Sequence, residues 1–318
     1  MRRGPSAVNA LIAVNKPLGL SSHDVVNRVR RAVGERRVGH AGTLDPDASG
    51  VLVVGIGQAT KLLGLLTLDR KAYRARIEFG SATDTDDAEG EVIERAEVPA
   101  ELLDAEYAAA QVARLIGECD QVPPAYSAIS VNGKRAYALA REGKQVELKS
   151  RRITVHDAAL VRVEGSADGE PLVWTCDFDV SKGTYIRSIA RDLGRSLGTC
   201  AHLCGLVRMS AGDITLADCV ELDELAEGGA ALVAERCLDP VAALGVAART
   251  VDVTEVADIT CGRRIPMGSV SLGGAAREPK PLEKVALVWD GSLVGIWERR
   301  GLDLACSVNF PQAIEGVR

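Results

Sequence analysis

Apolar residues change their period along the chain, and each change predicts an element. Leu11-Ile12-Ala13-Val14 is a short apolar run closed by Asn15-Lys16-Pro17-Leu18-Gly19, which reads as a strand ended by a turn. Val25, Val26 and Val29 recur at helical spacing behind Ser21-Ser22-His23-Asp24, polar residues suited to an N-cap. Residues 39–50, rich in Gly, Asp and Pro, read as a loop running into a buried strand over 51–56, with a short helix over 58–66. From Lys71 to Gly80 the pattern alternates, placing Tyr73, Ala75, Ile77 and Phe79 on one face of a half-buried strand. The acidic stretch 81–97 reads as a solvated connection with strand character at Val92-Ile93, and 105–116 as a helix broken by Pro123-Pro124.

Further on, the pattern predicts a strand over 127–131 with a turn at Asn132-Gly133, a short helix over 135–142 and strand-like material to 155. Strands over 172–180 and 203–208 flank a helix carrying Ile186, Ile189, Ala190 and Leu193 that ends at Gly198. An Ala-rich acidic helical stretch follows Asp213 and ends at Asp239-Pro240. From about residue 246 short strand signals dominate (251–253, 285–289, 293–297, 307–308), with Asp290-Gly291 as a hairpin turn. That region reads as a small separate β domain, and no internal repeat is evident.

The 318 residues suit about two domains. With 47% hydrophobic and 26% charged residues, the disordered, collagen-like and low-complexity classes are excluded. No apolar run approaches the ~20 residues of a membrane span, and no leader pattern opens the chain, so a cytoplasmic protein is expected. Eight cysteines need not form a disulfide framework at this size and are expected to be reduced and mostly buried. Cys200-Ala-His-Leu-Cys204 lacks the second ligand pair that a zinc site wants, so no metal is expected.

Net charge is −6, but it is uneven: residues 1–80 hold 13 Lys/Arg against 6 Asp/Glu, and residues 81–118 hold 2 against 11. Screening over about 8 Å lets such a chain carry a basic face. The dense clusters are Arg28/Arg30/Arg31/Arg36/Arg37 and Lys134/Arg135/Arg141/Lys144/Lys149/Arg151/Arg152, which suit either a polyanion or a solvated surface.

The segment richest in chemistry is Gly39-His40-Ala41-Gly42-Thr43-Leu44-Asp45-Pro46-Asp47-Ala48-Ser49-Gly50. Its glycines permit close backbone approach, and a carboxylate on such a loop can serve as nucleophile or general base, or simply cap a turn. It is not a phosphate loop, since Gly-x4-Gly-Lys-Ser/Thr is absent.

The same segment resembles the signature of the bacterial tRNA pseudouridine-55 synthases of the TruB type. Further blocks are similar in the same order: Asn15–Gly19 with Ser21–Val26, Lys71-Ala72-Tyr73-Arg74, Gln121–Ala128 with Gly133–Tyr137, Lys182–Ser188, and Leu206-Val207-Arg208. The resemblance covers roughly residues 11–210. It implies an α+β fold, a mixed, mainly antiparallel sheet with flanking helices, over a catalytic domain at 9–240. An RNA-gripping insertion would lie at 121–152, its 123–152 part a mobile cover over the RNA arm. It further implies isomerisation of the T-loop uridine at tRNA position 55, with base flipping and no cofactor.

In that scheme Asp45 is the catalytic aspartate and Tyr73 stacks on the uracil. Arg187 pairs with Asp45, Leu206 walls the pocket, and His40 fills the space of the flipped nucleotide. Lys16, Lys134, Arg135 and Arg208 contact phosphates. The expected partner is the tRNA T-arm, with no membrane and no obligate protein partner, and the chain is expected to be a monomer. Ser130 stands where the family usually has a lysine, which weakens RNA contact at that point. Gly262–Pro266 and the strands over 285–310 look like a degenerate RNA-binding β-barrel of the PUA type, placed at 246–318. Two other readings are a hydrolase using Asp45 and Asp47, separated by its free-base product, and a non-catalytic RNA-binding protein in which Asp45 is structural.

Overall fold

The computed structural model describes residues 6–66, 68–127, 129–131, 134–135, 148–165, 170–272 and 276–318. The chain forms two compact units, one from residues 1–67 with 211–318 and the other from residues 68–210.

In the first unit the Ala10–Lys16 strand pairs antiparallel with Ala48–Ile56 and parallel with Cys219–Val220. Val38–Ala41 pairs antiparallel with Ala48–Ile56. The helix Ser22–Val33 starts on a reciprocal capping box between Ser21 and Asp24, which satisfies two otherwise orphaned amides. Its Val25, Val26, Val29 and Val33 pack on Ile12, Val14, Leu52 and Val54, joined by Leu222, Leu225 and Val233 of the Leu222–Arg236 helix.

Several expectations change here. The loop over 39–50 shrinks to 42–47, because both ends are taken up by strand pairing. The helix over 58–66 is a 3-10 turn, Gly57–Lys61. Asp239-Pro240 begins a helix, Pro240–Leu244, with Asp239 accepting from Val241 and Ala242 N–H; proline at the first helical position costs no hydrogen bond. Val253 opens the helix Val253–Thr260, capped by Asp252, so the strand expected over 251–253 sits earlier, at Ala247–Thr250.

The C-terminal sheet runs Ile265–Pro266, Asp303–Ile314, Ser292–Arg300, Lys284–Trp289, Ala247–Thr250, Val270–Ser271, Ala276–Arg277. It wraps its own core around Val285, Leu287 and Trp297, as a PUA-like domain should. The Asp290-Gly291 turn has positive φ at both residues, the geometry that matches the twist of a two-residue hairpin.

In the second unit, Arg70–Phe79 lies between Ala201–Ala211 and Val173–Ser181, and the sheet continues through Arg151–Glu164 to Gly117–Gln121. Tyr73, Ala75, Ile77 and Phe79 are buried as the alternation predicts. Tyr73 lies opposite Phe178, and Ile77 opposite Trp174. Among the described residues its α-helices are Ala105–Ala113 and Ile186–Ser196. The fold is α+β with a large, mainly antiparallel sheet. The acidic stretch is only half solvated: Val92 and Ile93 are exposed, while Ser81, Thr83 and Asp87 are buried. Among the described residues no helix is long and apolar enough to cross a membrane. Cysteine burial was overestimated, for Cys119, Cys261 and Cys306 are exposed.

Candidate functional site

The loop that carries Asp45 is pinned on both sides of the carboxylate. The buried Ser22 hydroxyl donates to the Leu44 carbonyl at 3.0 Å and accepts from its N–H at 2.9 Å. On the other side, Gly19 N–H and the Lys16 ammonium both donate to the Pro46 carbonyl, at 2.9 and 3.1 Å. Gly42 turns the chain at φ +78°, a region that a side chain would disfavour. Asp45 itself is half-buried, and Asp47 is exposed. His40 is half-buried on Val38–Ala41, opposite Val54.

Lys16 departs from its expected role. It is 0% exposed, and its ammonium also donates to the Pro17 and Leu20 carbonyls. Three carbonyls can absorb all three ammonium hydrogens, so Lys16 serves the loop rather than offering a charge to solvent.

The remaining residues named from the sequence belong to the second unit. Tyr73 is buried on its strand, and half-buried Leu206 and Arg208, 1% exposed, lie on the neighbouring Ala201–Ala211 strand. Arg187 lies in the first turn of the Ile186–Ser196 helix and is buried. Its guanidinium makes a 3.1 Å ion pair with Asp87 and donates to the Thr85 and Tyr126 carbonyls at 3.1 and 3.0 Å. Lys134 and Arg135 form a short strand paired with Ser130–Val131; from 136 to 147 the expected helix and the rest of the basic cluster lie outside the described residues.

Sequence reading missed the supports of Arg187. Asp87 also accepts from Thr85 Oγ1 and from Glu89 N–H. Beside it, Arg191 pairs with Asp86 at 2.8 Å and donates to the Val122 carbonyl. Burial pushes the Asp86 carboxyl above its ordinary range, partly offset by Arg191. The Gln121 side chain clamps the helix entry, accepting from Tyr185 N–H at 2.9 Å and donating to its carbonyl at 3.1 Å. The available signal was Thr83-Asp84-Thr85-Asp86-Asp87, a Thr/Asp run of the kind that folds back on its own backbone. His202 faces the Ser81 carbonyl, and no group of three or more metal-ligating side chains occurs among the described residues.

The chain is 46% identical to the tRNA pseudouridine synthase B of Mycobacteroides abscessus over 271 residues, spanning 85% of this chain and 88% of that one. This chain belongs to the TruB family of pseudouridine synthases. Residues 30–186 match the TruB family pseudouridylate synthase (N terminal domain). A second TruB relative, the tRNA pseudouridine synthase B of Thermobifida fusca, is 51% identical over 220 residues, spanning 69% of this chain and 74% of that one. In fold the chain is similar to a protein in the structure of an H/ACA RNP bound to a substrate RNA containing 2′-deoxyuridine. There the TM-score is 0.64 at 20% identity, over 95% of this chain and 84% of that one. A Cbf5-Nop10-Gar1 complex gives the same TM-score at 21% identity. These two likenesses bear on the fold alone.

Proposed function

We propose that this chain isomerises the T-loop uridine at tRNA position 55 to pseudouridine, with Asp45 as the catalytic carboxylate and no cofactor or metal. The observation that carries the reading is the pinned Asp45 loop, fixed through Ser22–Leu44 and Lys16–Pro46, in a chain nearly half identical to a tRNA pseudouridine synthase B. The chain is then an isomerase acting on tRNA in the cytoplasm, as a monomer. Its catalytic domain spans 9–240 and a PUA-like domain spans 246–318.

The reaction breaks N1–C1′, turns the base and forms C5–C1′; the proton on C5 leaves and N1 gains one. A fixed carboxylate has three ways to help. It can trap C1′ as positive character builds there, attack the base, or remove the C2′ proton. Each requires the base to leave the loop stack, and Tyr73 offers a flat face for it, with Leu206 as a wall and His40 filling the vacated space. Arg187 keeps the carboxylate ionised and aimed. Lys134 and Arg135 meet phosphates, contributing salt-dependent affinity rather than sequence choice.

The test is site-mapped pseudouridine formation on an unmodified tRNA transcript, with chelator and no added cofactor, for the native chain and Asp45→Asn. Conversion of one T-loop uridine by the native chain alone supports the proposal. Release of free uracil would move the reading to a hydrolase, and tight binding without conversion would move it to an RNA-binding protein.

A further inference from the structure

Ser127 carries a buried hydroxyl that the fold leaves unbonded. The residue is 3% exposed, and its Oγ has no hydrogen-bond partner among the described residues. Other serines of the protein are bonded where they are buried. Ser22 makes two bonds to Leu44, and the Ser188 hydroxyl donates to the Val122 carbonyl at 2.9 Å. A hydroxyl withdrawn from water without a partner destabilises the folded state, so one that persists calls for a reason.

Its position supplies the reason. The 121–127 segment is tied along the first half of the Ile186–Ser196 helix. Gln121 holds both backbone groups of Tyr185, Ser188 and Arg191 both donate to the Val122 carbonyl, and Arg187 donates to the Tyr126 carbonyl at 3.0 Å. The Tyr126 hydroxyl in turn donates to Asp84 at 3.3 Å. The Tyr126 carbonyl belongs to the planar peptide unit that ends on Ser127, which puts the Ser127 Cα within about 6 Å of the Arg187 guanidinium. Ser127 N–H is already used, donating to the Ala125 carbonyl at 3.1 Å. What remains is a fixed, dry hydroxyl beside Arg187, able both to donate and to accept. Thr199, whose buried hydroxyl is also unbonded, lies beyond the other end of that helix.

We propose that Ser127 is a substrate-binding residue, its hydroxyl forming a hydrogen bond to the target uridine. This rests on the reading of Arg187 given above, which places that guanidinium at the reacting nucleotide. A buried polar group that is paired only when substrate is present favours the nucleotide that pairs it over one that does not. Both the uracil edge and the ribose 2′-hydroxyl offer the matching chemistry.

The experiment measures tRNA binding and thermal melting for the native chain and Ser127→Ala. Ser127→Ala is expected to bind the uridine transcript about fivefold more weakly, the loss of one hydrogen bond. It should melt no lower than the native chain, because the group removed has no bond in the free protein. Native affinity in a folded Ser127→Ala overturns the proposal. Ser127→Cys, similar in shape but a weaker donor and acceptor, is the second variant should Ser127→Ala fail to fold, and its affinity is expected between the two.

Two altered transcripts locate the bond. If the hydroxyl meets the base, the native advantage over the variant disappears on a transcript with an abasic target nucleotide. If it meets the ribose, the advantage disappears on a transcript with 2′-deoxyuridine there. An advantage that persists on both transcripts overturns the assignment to the target uridine. Conversion of the unaltered transcript by the native chain in the same preparation tests the parent reading separately, so the two failures are distinguishable.

Discussion

The Arg187 guanidinium lies 3.1 Å from the Asp87 carboxylate, with their side chains only 8% and 12% exposed. Asp87 reaches that position because its segment turns at Asp86, which holds φ +62°, and because Thr83 and Thr85 hydroxyls both donate to the Asp87 carbonyl. The Ile186–Ser196 helix is thereby locked at its first turn to an acidic loop 100 positions earlier in the chain. Removing Asp87 takes from a buried guanidinium the carboxylate paired with it at 3.1 Å. Asp87→Ala should lower unfolding free energy by about 3 kcal/mol, read by denaturant titration, and should slow pseudouridine formation.

Ser22 holds both polar groups of Leu44, immediately before Asp45. Ser22→Ala orphans a buried donor and a buried acceptor at once, costing about 1–3 kcal/mol. The same change loosens the Asp45 loop. Steady-state kinetics on a tRNA transcript should therefore show a larger fall in kcat than rise in KM, and Ser22→Thr should restore part of it.

Trp174 is fully buried in the second unit, stacked in a tilted arrangement on Phe79 with ring centroids 4.6 Å apart. Its indole N–H donates to the Leu102 carbonyl at 2.9 Å. Trp174→Phe keeps most apolar contact but strands that carbonyl, so a loss of about 1–3 kcal/mol in stability is expected with little change in tRNA affinity.

Arg277 holds the Glu283 carboxyl down at about 2, below the usual 4.5. Because the folded value lies below the unfolded one, this pair stabilises the C-terminal sheet above pH 4.5, and that contribution fades as pH falls from 4.5 toward about 2. Melting temperatures of the native chain should drop across that window, and Glu283→Gln should flatten the drop.

Much of the architecture was legible before any coordinates. The helix behind Ser21, the alternating strand through Tyr73, the helix ending at Gly198 and the hairpin at Asp290-Gly291 all depend on local period and turn chemistry, which neighbouring residues set among themselves. Asp239-Pro240 and Val251–Val253 were misread because the same residues punctuate a helix start or a strand end, and capping geometry chooses between them.

The sequence by itself determined the family, the α+β class, the apolar faces and the loop on which Asp45 stands, since each is written in the spacing and order of residue types. Only the tertiary structure decided what the buried charges do. Lys16 spends its ammonium on three carbonyls, and Arg187 meets Asp87. A charge's role depends on which opposite charge and how much water surround it, and those are set by residues distant in the chain.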